Sequence, residues 1–119
     1  MSPAVFTVLV FGGRDFSDER LMDETLDRLH ARRPFGLLIH GGAPGADRLS
    51  GAWAKKRGIP VRVFEADWGK FGKSAGPRRN QQMLDEGLPD LAVAFPGGRG
   101  TADMKAKVTR KGISLEEAR

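Results

Sequence analysis

The residues best suited to chemistry lie in three glycine-rich stretches: GGRDF (12–16), HGGAPGAD (40–47) and PGGRGT (96–101). Gly12, Gly13, Gly41, Gly42, Gly45, Gly97, Gly98 and Gly100 allow a backbone to approach a bound group closely and to adopt positive φ. Pro96 opens the last stretch and Thr101 closes it, where its hydroxyl can cap a helix or donate to a phosphate oxygen. Arg14 can fork onto phosphate, or it can pair with Asp15 beside it. Asp47 either stabilises the start of its own helix or offers a carboxylate to a ribose hydroxyl or to acid–base work.

A fourth stretch, KFGKSAGPRRN (70–80), carries Lys70, Lys73, Arg78 and Arg79 without an acid. Arg78, Arg79 and Asn80 are expected to open a helix. Cations there oppose the helix dipole, so an anionic ligand is expected to compensate them. Trp68 and Phe71 nearby can stack a base or anchor the loop to the core. His40 ends an apolar run and reads as a structural histidine. With two His and no Cys, the chain offers no zinc set, and neither a metal nor a resident cofactor is expected.

These groups need elements to bring them together, and the apolar runs supply them. VFTVLVF (5–11), GLLIH (36–40), PVRVFEA (60–66) and LAVAF (91–95) read as strands, and ISLEEA near the end reads as a short edge strand. Between them lie a helix from Ser17 or Asp18 to about Arg33, a second with Leu49, Ala52 and Trp53 on its inner stripe, a third over 77–87 and a fourth over 102–112. Strict alternation of strand and helix predicts a Rossmann-like α/β sandwich of three layers, with a mostly parallel sheet of four to five strands. The glycine stretches then follow strands and precede helices. They share the carboxyl edge of the sheet, where ligands bind at the switch point and free helix N–H groups suit phosphate. None of them reads G-x-x-x-x-G-K-[ST] or G-x-G-x-x-G, so kinase-type and dinucleotide-type signatures are missing.

Composition narrows the class. With 119 residues and no linker or repeat, one domain over 1–119 is expected. Its 16 Gly and 7 Pro cluster between apolar runs, unlike a disordered tract. No apolar run approaches the roughly 20 residues of a membrane span, no export signal is visible, and the lack of Cys suits a cytoplasmic protein. The formal net charge of +5 favours an anionic partner.

The stretches GGRDF, HGGAPGADRLSGAWA, DWGKFGKSAGPRRNQQML and AFPGGRGTADM, in this order over about residues 5–113, resemble the YspA/YpsA-related branch of the SLOG superfamily. That superfamily also holds the LONELY GUY nucleoside-monophosphate phosphoribohydrolases, molybdenum-cofactor carriers and DprA. The resemblance implies a Rossmann-like fold whose glycine loops bind nucleotides or nucleotide-derived ligands. The phosphoribohydrolases carry P-G-G-x-G-T-x-x-E, and this chain has Met104 where that Glu stands. Their catalytic Arg resembles Arg79 or Arg78, and Asp47 or Asp15 is left to supply a carboxylate. The expected function is binding of a nucleotide-derived small molecule, as a sensor or as an enzyme on it. Hydrolysis of a nucleoside 5′-monophosphate and single-stranded nucleic-acid binding of DprA type are the alternatives. No membrane partner is expected, and a homo-oligomer is compatible with the sequence.

Overall fold

The computed structural model describes residues 5–118; residues 1–4 and 119 of the expected 1–119 domain, and with them the first residues inspected for an export signal, lie outside the described residues. Five strands, β1 (Thr7–Phe11), β2 (Leu37–His40), β3 (Val61–Val63), β4 (Leu91–Ala94) and β5 (Ser114–Glu117), form one sheet. Every pairing is parallel and the order is β3-β2-β1-β4-β5. The chain runs outward from β1 through β2 to β3, then returns to the other side of β1 for β4 and β5. The switch point therefore lies between β1 and β4.

Helices α1 (Glu19–Arg32) and α2 (Ala46–Lys56) cover one face; α4 (Ala75–Gly87) and α5 (Arg99–Lys111) cover the other. Strand alternation divides the core accordingly. Val8, Val10 and Val93 join Met22, Leu26, Leu29 and Trp53 on the first side. Leu9, Phe11, Ala92 and Ala94 join Met83, Leu84, Met104 and Val108 on the second. All five residues of β1 are buried because helices cover both of its faces. The edge strand β3 is shorter than the run 60–66 suggested and mostly exposed.

Local chemistry sets the helix ends. Asp18 caps α1 by accepting from Leu21 N at 2.9 Å. In α2 the buried stripe is Ala46, Ser50, Trp53 and Ala54, whereas Ala52, expected inside, faces solvent. Between β3 and α4 the expected long loop folds into a short helix α3 (Trp68–Phe71) and a 3-10 turn over Gly72–Ser74. Consequently α4 begins at Ala75, and Arg78, Arg79 and Asn80 sit one turn inside it, not at its opening. The dipole acts mainly on the first turn, so the electrostatic cost expected for Arg79 at a helix end does not arise. Helix α5 likewise starts at Arg99, earlier than expected, with Gly98 at its N-cap. No helix among the described residues is long and apolar enough to cross a membrane.

Candidate functional site at the carboxyl edge of the sheet

The loops after β1, β2 and β4 are knitted to one another by their backbones. Gly13 N donates to Pro96 O at 2.9 Å, while Gly13 O accepts from Ala46 N at 3.1 Å and Phe16 N at 3.2 Å. Such approach leaves no room for side chains. A Cβ on Gly45 (φ +81°) would stand 2.2 Å from Gly13 O, and one on Gly97 would stand 2.6 Å from Gly13 N. Part of the glycine content thus serves loop-on-loop packing. By contrast, added Cβ atoms on Gly98 and Gly100 would meet nothing within 4 Å.

Between these loops and α4 opens a cleft of about 670 Å³, in the range that takes small-molecule ligands. It is lined by Gly12, Gly13, Arg14 and Asp15 after β1, by Ala43 and Asp47 after β2, and by Gly98, Arg99, Gly100, Thr101 and Asp103 after β4. Trp68, Lys73, Gly76, Pro77, Arg79, Asn80 and Met83 form the wall from α3 and α4, and Phe11 closes the floor. The first N–H groups of α5 have no intrahelical acceptor, and its N-terminal turn, with Arg99, Gly100 and Thr101, lines the cleft.

Arg79 is fixed by hydrogen bonds. Its Nη1 donates to Gly41 O and its Nε to Asn80 Oδ1 at 3.2 Å. Asn80, itself buried, donates from Nδ2 to Gly100 O at 3.3 Å and to Asp103 Oδ2 at 3.0 Å. One side chain therefore orients the guanidinium and ties α4 to the first turn of α5. Burial lowers the pKa of Arg79 and Arg14 lowers it further, while Asp47 opposes both.

Asp47 is 5% exposed, and its Oδ2 accepts from Gly41 N and Ala43 N, each at 3.1 Å. Burial pushes its carboxyl up to about 6, against the Ala43 N–H, the Arg79 charge, the Gly41 N–H and the Arg14 charge. Burial also raises Asp103, but hydrogen bonds from Lys107 (2.6 Å) and Asn80 outweigh it and hold the carboxyl below its usual range. The cations Arg14, Lys73, Arg79 and Arg99 face Asp15, Asp47 and Asp103. With Asp103 paired to Lys107, the cleft is positive on balance.

Of the residues singled out in the sequence, Gly12, Gly13, Arg14, Asp15, Asp47, Arg79, Asn80, Gly98, Gly100 and Thr101 line the cleft together. Gly41, Gly42, Gly45, Arg78, Pro96 and Gly97 do not. Gly41 lies behind the Arg79 guanidinium, and Gly42 (φ +73°) faces Val63 and Glu65. Gly45, Pro96 and Gly97 pack the loops, and Arg78 lies 4.4 Å over the Phe71 ring. His40 is structural as expected: its Nδ1 accepts from Gly42 N at 2.9 Å, and burial, then Arg79, lowers its pKa. Thr101 lies in the first turn of α5, and the N-cap is Gly98. Phe71 is outside the cleft, but Trp68 lines it.

Sequence reasoning did not assign Lys73, Arg99 or Asp103 to the site. Lys73 belongs to the basic stretch already noted. The Asp103 signal was the spacing Thr101–Met104–Val108, a buried stripe that turns its neighbour Asp103 toward the cleft. Met104 is 0% exposed, in the core and not in the cleft.

A parallel sheet of order 3-2-1-4-5 with a positive, glycine-lined cleft at its switch point defines a Rossmann-like α/β protein. The chain belongs to the YspA, cpYpsA-related SLOG family, whose model (YAcAr) matches residues 6–71. It is 39% identical over 117 residues to the Gene 61 protein of Mycobacterium phage D29, covering 91% of this chain and 92% of the phage protein. Its fold is similar to that of the Moco carrier protein from Chlamydomonas reinhardtii (TM-score 0.65, 16% identity, 97% of this chain and 76% of that one). It is also similar to the DNA processing protein DprA from Streptococcus pneumoniae (TM-score 0.59, 15% identity, 93% of this chain and 58% of that one).

Proposed function

We propose that the protein binds a nucleotide or nucleotide-derived small molecule in the cleft, as a single domain of the cytoplasm, with the ligand's phosphate on the N-terminal turn of α5. One observation carries this reading. The open glycines Gly98 and Gly100, the free N–H groups of α5 and the oriented Arg79 guanidinium converge on one cavity. Backbone N–H groups and a dipole end suit an anion, and a guanidinium held from behind presents its remaining donors without further ordering cost. A carrier of Moco among the similar folds supports a small molecule as the ligand class.

The test is thermal unfolding with AMP, GMP, CMP, UMP, ADP-ribose, NAD and ribose 5-phosphate. A ligand at 100 times its Kd adds about 2.7 kcal/mol of stability. At least one of these should raise Tm, and Gly98→Asp should abolish the rise. No rise with any of them overturns the reading.

Single-stranded nucleic acid is the second reading, favoured by the similarity to DprA and by the charge of +5. It requires affinity that falls steeply with salt. Nucleotide hydrolysis has weaker support, because Asp47 is engaged by the loop N–H groups and Asp103 by Lys107 and Asn80. Of the carboxylates lining the cleft, this leaves the exposed Asp15.

A further inference from the structure

Two tryptophans stand in opposite environments. Trp53 is 1% exposed, inside the core, with its Nε1 donating to Asp27 at 2.9 Å. Trp68 is 50% exposed and lines the cleft. A large aromatic left half in water forgoes burial that would stabilise the fold, yet the structure holds this ring in a defined pose. Asp67 caps its short helix by accepting from Lys70 N at 3.0 Å. Gly76 on α4 makes room for the indole: a Cβ there would come 3.2 Å from Trp68 Cη2. The Arg14 guanidinium lies 5.8 Å from the ring centroid, within cation–π range. The neighbouring Phe71 does not line the cleft, and its ring carries Arg78 at 4.4 Å and Lys70 at 5.1 Å.

We infer that Trp68 is the stacking wall for an aromatic base, so that the ligand is a 5′-phosphorylated nucleoside and not a bare sugar phosphate. This rests on the nucleotide reading of the same cleft and adds the part of the ligand that α5 does not touch. A flat, half-buried π face with a cation beside it attracts a planar ring, and every base has such a face. Phosphate at α5 and base at Trp68 use two different segments that line the same cavity.

The experiment compares AMP, GMP, CMP and UMP with ribose 5-phosphate by calorimetric titration and by tryptophan fluorescence, in the unmodified protein, Trp68→Ala and Trp68→Phe. The mononucleotides should bind more tightly than ribose 5-phosphate and quench the exposed Trp68. Trp68→Ala should weaken mononucleotide binding about 5- to 150-fold, the equivalent of about 1–3 kcal/mol of stacking. It should leave ribose 5-phosphate unchanged, which also reports that the variant is folded, and Trp68→Phe should keep most of the affinity. Mononucleotides binding no better than ribose 5-phosphate, or an equal loss for both ligands in a folded Trp68→Ala, overturns the stacking role alone. Absence of binding by all five ligands overturns the phosphate site itself, and the stacking role with it.

Discussion

Arg79, near the middle of the sequence gap between β3 and β4, donates from Nη1 to the main-chain carbonyl of Gly41, in the loop after β2. This contact ties α4 to the loop after β2 at the carboxyl edge of the sheet. It gives the cation a protein partner in the absence of any ligand.

Arg79→Ala should therefore cost stability as well as affinity. It strands the buried carbonyl of Gly41 and removes the cation that acts most strongly on Asp47. A lost charged hydrogen bond of this kind is worth about 1.5–3 kcal/mol. Chemical denaturation should show a loss of that order, and AMP titration a weakened or absent signal. An unliganded variant as stable as the unmodified protein would mean that the contact contributes nothing.

Gly98→Asp should separate binding from folding. Gly98 is the N-cap of α5, its φ is −104°, and an added Cβ meets nothing within 4 Å. Aspartate is also a favoured N-cap residue, better than Gly by a few tenths of a kcal/mol. The melting temperature should stay constant or rise slightly. Its carboxylate then occupies the place of the anion, so titration with AMP or ribose 5-phosphate should show no binding. Normal affinity in this variant would place the phosphate elsewhere.

Asp47 gives the fold a specific pH dependence. Its carboxyl is raised to about 6 in the folded protein, above the ordinary value of 3.8. The folded state thus holds the proton more tightly than the unfolded chain. The stabilisation is complete below about pH 4 and is lost as pH rises through 6. The amount is on the order of 3 kcal/mol. Asp47→Asn keeps an acceptor for Gly41 N and Ala43 N but cannot titrate. Urea denaturation from pH 4 to pH 7 should show the variant gaining on the unmodified protein by that order as pH rises. A constant difference across the range would contradict it.

Met104→Glu should destabilise the protein and should not create release of base from nucleoside monophosphates. Met104 lies in the core with Leu9, Met83 and Val108, so the new carboxylate would be buried without a partner. That costs several kcal/mol. Thermal unfolding and chromatography of AMP after incubation check the two parts. A stable variant that releases adenine would show that position 104 reaches the ligand.

Much of the architecture was legible in the chain alone. Apolar runs such as VFTVLVF and LAVAF, each followed by glycine and then a helical period, were enough for a parallel α/β sandwich, because a strand covered on both faces needs an unbroken apolar run. The same alternation put the glycine loops on one edge, and many of the singled-out residues do share the cleft. The tertiary structure decided what each residue does there. Gly45 and Gly97 are bare because Gly13 presses against them, whereas Gly98 and Gly100 are bare in open space; one residue type serves both purposes, so spacing could not separate them. Arg79 is paired to a carbonyl 38 positions away, and Asp47 is raised by burial among groups from other loops. Hydrogen bonds and desolvation between distant segments depend on where the chain folds back, and local sequence does not encode that distance.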